Sequence, residues 1–98
     1  MMQIEQTDVY EEWFLSLPDN VSIKVKTYVL RVQAGNTSNC KPVGDGVYEI
    51  RVHYQKGYRV YYTIKNKKLV LLLLCGGDKK SQKDDIKRAK KIKKELEG

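Results

Sequence analysis

The run from Leu69 to Cys75, LVLLLLC, limits the possible folds more than any other stretch of this chain. Side chains of a strand point alternately to the two sides of a sheet, so an apolar run without alternation describes a strand covered on both faces. At seven residues it is far too short to cross a bilayer as a helix. The sequence therefore predicts a buried, central strand. Gly76-Gly77 follow at once, where backbone is to be approached more closely than a side chain would allow, and then the charged stretch DKKSQKDD.

The rest of the chain supplies partners for that strand. Its 98 residues suit one domain, 1–98, with a single layered core. MQIEQ reads as a short first strand, and Thr7 or Asp8 as the N-cap of a helix carrying Val9, Trp13 and Leu17 on one stripe, with Tyr10 and Phe14 beside them. Pro18 ends that helix. Val21, Val25, Tyr28, Val29 and Val32 mark a second helix, stopped at Gly35-Asn36. The period then changes to two. GVYEIRVHY sends Tyr48, Ile50, Val52 and Tyr54 to one face, and YRVYYTIK does the same with Tyr58, Val60, Tyr62 and Ile64. QKG joins these two strands, KNKK leads into the apolar run, and GDG at 44–46 is a turn. Ser81 opens a final helix in a capping-box pattern, with Ile86, Ala89, Ile92 and Leu96 as its apolar stripe. The expected fold is α+β in the order β-α-α-β-β-β-α. It has a small, antiparallel-rich sheet, an N-terminal helical hairpin on one face and a C-terminal helix.

Charge is unevenly spread. Residues 1–20 carry five acids and no base, so all 19 basic groups face only seven acids in residues 21–98. Such a field attracts polyanions, nucleic acid foremost. The acidic N-terminus lacks a signal-peptide pattern, so a soluble, cytoplasmic protein without membrane contact is expected. Cys40, Cys75 and His53 have no zinc-ligand spacing, so no metal is expected and the cysteines read as reduced, buried thiols.

If the two alternating strands pair, their polar faces bring together Glu49, Arg51, His53, Arg59, Tyr61 and Thr63. Arginine forks onto phosphate oxygens, tyrosine stacks on bases, and histidine moves protons near neutral pH. The same spacing equally suits Glu49 paired with Arg51 or Arg59 on an ordinary solvent face. Lys79 and Lys80 stand at the rim of this face before a helix N-terminus, and with Gln82 and Lys83 they can extend an anion-binding surface. A solvated helix start fits that pattern as well.

Gly35-Asn36, Lys41 through Arg51, Gly57 through Tyr61, Gly76-Gly77-Asp78-Lys79, Ser81-Gln82 and Asp85-Ile86 occur as ordered blocks. Together they resemble the phage-derived, HigB-like branch of the RelE/ParE superfamily, the toxins of type II toxin–antitoxin systems. The resemblance implies a RelE-like fold and a ribosome-dependent mRNA endonuclease that inhibits translation without metal or cofactor. A ribose 2′-oxygen would attack its neighbouring phosphate, leaving a 2′,3′-cyclic phosphate and a 5′-hydroxyl. Carried onto this chain, Arg51, Arg59 and Lys79 stabilise the phosphate, with Gln82 near them. Nothing aromatic follows Tyr62, so His53, Tyr61 or a lysine would move the proton. Lys80, Lys83, Lys87, Arg88, Lys90, Lys91, Lys93 and Lys94 would dock on ribosomal RNA. The implied partner is a cognate antitoxin, a small helix-turn-helix protein. The ParE branch implies the alternative of a gyrase-inhibiting or other non-catalytic binding toxin.

Overall fold

A computed structural model describes all of residues 1–98. In chain order the elements are β1 (Gln3–Gln6), α1 (Asp8–Leu15), α2 (Asp19–Gln33), β2 (Cys40–Gly44), β3 (Val47–Val52), β4 (Tyr58–Lys65), β5 (Val70–Asp78) and α3 (Gln82–Leu96). The five strands form one sheet in the order β1-β5-β4-β3-β2. β1 runs parallel to β5, and every other pairing is antiparallel.

The alternation in β3 and β4 sorts the two faces. Ile50, Val52, Tyr58, Val60 and Tyr62 turn to one side, where Tyr10 of α1 and Val21, Val25, Tyr28, Val29 and Val32 of α2 bury them. Val47 and Tyr61 turn to the other side and meet Ala89, with Ile86 and Ile92 packed at the edge of that cluster. The helical hairpin thus covers one face and α3 part of the other, so β5 is buried on both sides. No helix is long and apolar enough to cross a membrane.

Several details differ from the sequence expectation. A fifth strand, β2, pairs with β3 at the sheet edge. It holds Pro42, which cannot donate to a ladder and is tolerated only on such an edge, so it carries no strand signal of its own. β5 is an interior strand, but β4 occupies the middle of the sheet. β5 also continues through both glycines to Asp78, instead of leaving the sheet at Cys75.

The register of β4 on β5 shifts between Tyr61 and Tyr62, and both Leu74 and Cys75 join the α3-side cluster. A bulge of this kind changes which face the following residues address. Gly76 is thereby set under the Trp13 ring and Gly77 against the Asp85 carboxyl and the Ser81 hydroxyl. A Cβ at either position would overlap those groups. The two glycines are sites of close approach, one for each helical layer.

The helix starts also divide. Thr7 caps α1 by accepting the Tyr10 N–H at 3.0 Å. Ser81 precedes α3 but makes no side-chain cap bond. Asp78 closes the turn that leads into the helix, its Oδ1 accepting the N–H groups of Lys80 at 2.9 Å and Ser81 at 3.2 Å. The Ser81 hydroxyl donates to the buried Asp85 carboxylate. Leu96 is exposed and drops out of the predicted apolar stripe, and Cys40 is only half-buried.

Candidate phosphate-binding site

β3 and β4 pair so that Arg51 lies directly across from Arg59 and Glu49 across from Tyr61. Period-two alternation puts all four on the α3 side of the sheet. Two like charges about 5 Å apart near a protein surface repel by roughly 3 kcal/mol, so a cross-strand arginine pair needs a counter-charge. Glu49 supplies it from the interior.

The Glu49 side chain has no solvent exposure. Its Oε1 accepts from Arg51 Nε at 3.2 Å, and its Oε2 from Gln82 Nε2 at 2.8 Å and the Tyr61 hydroxyl at 3.1 Å. Arg59 Nε lies 3.5 Å from Oε2, an ion pair without a hydrogen bond. The side chain of Arg51 is 42% exposed and that of Arg59 11%. Each guanidinium therefore turns its Nε inward to one carboxylate, and the hydrogen bonds of the protein leave the outer nitrogens uncommitted.

Burial opposes ionisation of Glu49. The hydrogen bonds from Gln82, Arg51 and Tyr61 and the charge of Arg59 outweigh it and hold the carboxyl below the usual glutamate range. Burial, then the charge and hydrogen bond of Glu49, push the Tyr61 hydroxyl far above its ordinary value. A carboxyl whose pKa is lowered by folding stabilises the protein above its unfolded value and loses that contribution as pH falls. We expect stability against urea to decline as pH drops below about 4, the ordinary glutamate range. Glu49→Gln should flatten that decline, as read from urea midpoints at neutral and acid pH.

Outside the carboxylate, Arg51 and Arg59 line a shallow concavity of about 460 Å³ with His53, Tyr54, Lys56, Tyr58 and Lys79. Lys56 reaches Asp78 Oδ2 at 3.3 Å across the mouth. His53 is exposed, with its ring 6.5 Å from that of Tyr28 on α2.

Of the residues singled out by the sequence, Arg51, Arg59, His53 and Lys79 are brought together here. Tyr61 and Thr63 are not on an open face, because α3 lies over them: Tyr61 is fully buried, and Thr63 donates to the Gly46 carbonyl at 2.7 Å. Gln82 turns its Nε2 to Glu49 at 2.8 Å and does not line the concavity. At the start of α3 the Asp78 and Asp85 carboxylates lie close by, joined through the Ser81 hydroxyl, and their charge opposes the approach of an anion. Lys80 is exposed but does not line the concavity. Lys83, Lys87, Arg88, Lys91 and Lys94 are exposed and make no ion pairs, whereas Lys90 packs on Gly44 and reaches Asp45 at 3.7 Å. Lys93 pairs with Glu97. Lys56, Tyr54 and Tyr58 join the lining without being expected there, since the alternation assigns both tyrosines to the apolar face and gives Lys56 no role. Lys56 sits in a turn whose only local signal is Gly57, and it joins the site through Asp78, which is distant in sequence.

The sequence profile of the family described as phage derived protein Gp49-like (DUF891) matches residues 12–97. An uncharacterized protein of Haemophilus influenzae is 41% identical over 96 residues, covering 97% of this chain and 96% of its own length. Among solved structures, the intact Escherichia coli RelBE toxin–antitoxin complex matches at a TM-score of 0.68 and 18% identity, over 80% of this chain and 96% of that one. The isolated Escherichia coli RelE toxin matches at 0.67 and 17%, over 90% and 98%. The RelBE2 toxin–antitoxin complex of Mycobacterium tuberculosis matches at 0.56 and 17%, over 80% and 98%. At those identities the structures speak for the fold. The chain belongs to the phage-derived Gp49-like family and folds as the RelE toxins do.

Proposed function

We propose that this protein is the toxin of a type II toxin–antitoxin pair and that it cuts mRNA on the ribosome by metal-independent transesterification. The carrying observation is the pair of arginines in cross-strand register. Their one carboxylate partner is on the buried side, and their outer edges share a concave surface with Lys79, Lys56 and His53. This arrangement suits a phosphate in the act of gaining charge. Arg51 and Arg59 would grip the scissile phosphate, and Lys79 would add charge at the rim. His53 would move the proton. Tyr61 is reassigned from proton transfer to support, because its hydroxyl is buried and bound to Glu49.

The exposed cations of α3, Lys83, Lys87, Arg88, Lys91 and Lys94, suit ribosomal RNA, with Lys80 at the near end and Lys90 contributing less because it is held by Asp45. A protein with such an activity needs a silencing partner. The complexes of RelE-fold toxins with antitoxins support a cognate antitoxin here. By family resemblance alone we take that partner to be a small helix-turn-helix protein, and we place the activity in the cytoplasm where ribosomes are.

Primer extension on translated message after induction tests the reading. New, translation-dependent 5′ ends are expected, and they should vanish in Arg51→Ala/Arg59→Ala. Arrested growth with intact message rejects cleavage. If toxicity also survives the double substitution, the ParE-like binding reading gains.

A further inference from the structure

We propose that Glu49 is the positioning residue of this site: its buried carboxylate, braced by Tyr61 and Gln82, holds Arg51 and Arg59 by their inner edges so that both outer edges face one phosphate. The inference rests on the phosphate-clamp reading above and assigns a role to a residue that no ligand can touch.

Three observations carry it. First, Glu49 is fully buried, yet it meets both guanidinium groups, Arg51 Nε at 3.2 Å and Arg59 Nε at 3.5 Å. A buried carboxylate is retained at a desolvation cost, and here the charges it meets are those of the site. Second, the carboxylate is itself fixed from two further directions. Tyr61 reaches it from β4 and Gln82 from the first turn of α3, so strand pairing and helix docking both set its position. Third, Arg51 and Arg59 are direct cross-strand neighbours, an arrangement of like charges whose repulsion an anion between them relieves. With the anion on the inside, neither side chain has to swing away from the other. Arg51 is fixed at Nε by a hydrogen bond and Arg59 by charge alone, and each planar guanidinium then presents its outer nitrogens as a fork, the geometry that suits a phosphate.

The proposal separates binding from turnover. Removing an interior negative charge makes the surface more cationic, so Glu49→Gln should bind a 2′-O-methylated single-stranded RNA at least as tightly as the wild type. Its single-turnover cleavage on ribosome complexes should nevertheless fall about 10- to 100-fold, the range lost when a positioning contact is disturbed. The Nε–H resonances of Arg51 and Arg59 give a readout independent of activity. They should move and exchange faster with solvent in Glu49→Gln, and return toward the wild-type positions in Glu49→Asp.

Arg51→Ala and Arg59→Ala run alongside. If they cleave like the wild type, the clamp reading itself fails. If they are impaired but Glu49→Gln cleaves at the wild-type rate with unmoved arginine signals, the positioning role fails alone. Should Glu49→Gln not fold, Tyr61→Phe and Gln82→Ala each remove one brace. Unshifted arginine signals and an unchanged rate in both would overturn the proposal, and a shift with slower cleavage would uphold it.

Discussion

Arg59→Ala is expected to slow message cleavage by about two to three orders of magnitude, the usual loss when one charge-stabilising donor is removed from a transition state. Arg59 is the more enclosed of the two arginines, with its side chain 11% exposed against 42% for Arg51. Electrostatic contacts strengthen as water is excluded, so the enclosed cation should matter more to the reacting phosphate. Arg51→Ala should therefore cost less. Arg59→Lys should recover little, because an ammonium lacks the planar fork and cannot face Glu49 and a phosphate at once. Arg59→Ala also leaves Glu49 with one cation fewer, so some loss of stability should accompany the loss of rate. Single-turnover rates on purified ribosome complexes, with urea unfolding of the same preparations, separate the two effects. A rate within threefold of the wild type would remove Arg59 from the chemistry.

The second large effect concerns the fold. Gly76→Ala places a methyl group inside the Trp13 ring. That ring cannot simply step aside, since Tyr10 lies against it at 5.7 Å between centroids and α1 is packed on β5. Overpacking of a fitted core typically costs 1–3 kcal/mol, and a clash with an aromatic ring belongs at or beyond the upper end, about 3 kcal/mol. A domain of this size holds only about 5–15 kcal/mol in total and loses about 4–8 °C in Tm per kcal/mol, so a drop of about 12–24 °C is expected. Circular dichroism melts measure it. Trp13→Ala should be destabilising by itself yet less so in the Gly76→Ala background, a coupling that a double-mutant cycle reads directly. Gly77→Ala should be comparably costly, because the group it meets is the buried Asp85 carboxyl held by Ser81. Independent effects at Gly76 and Trp13 would show that the contact is not the reason for the glycine.

Much of this architecture is legible in the residues because local patterns repeat what tertiary packing requires. The five residues that mark the stripe of α2 are all buried, and the alternation of β3 and β4 sorts the faces as expected. The unbroken run of β5 announces cover on both sides, which the hairpin and α3 provide. What escaped is whatever depends on neighbours distant in sequence. β2 has no alternation of its own and exists by pairing with β3. Ser81 matches a capping pattern, but its hydroxyl is drawn to the carboxylates of Asp78, in the turn after β5, and of Asp85. The polar side of β3 and β4 carries the expected residues, yet periodicity cannot say that α3 lies over Tyr61 and leaves Arg51 open. The pattern therefore names the members of the site and not their depth. That depth separates the arginines facing the concavity from the carboxylate and phenol behind them.

The central claim is that Arg51 and Arg59 act on a phosphate undergoing transesterification, and the chemistry of the cut ends tests it most directly. Fragments of translated message produced by the wild-type protein should carry 5′-hydroxyl ends and matching 2′,3′-cyclic or opened 3′-phosphate ends. Arg51→Ala/Arg59→Ala, although folded, should produce none. Fragments with 5′-phosphate ends, or the same fragments in equal yield from the double variant, would contradict the account.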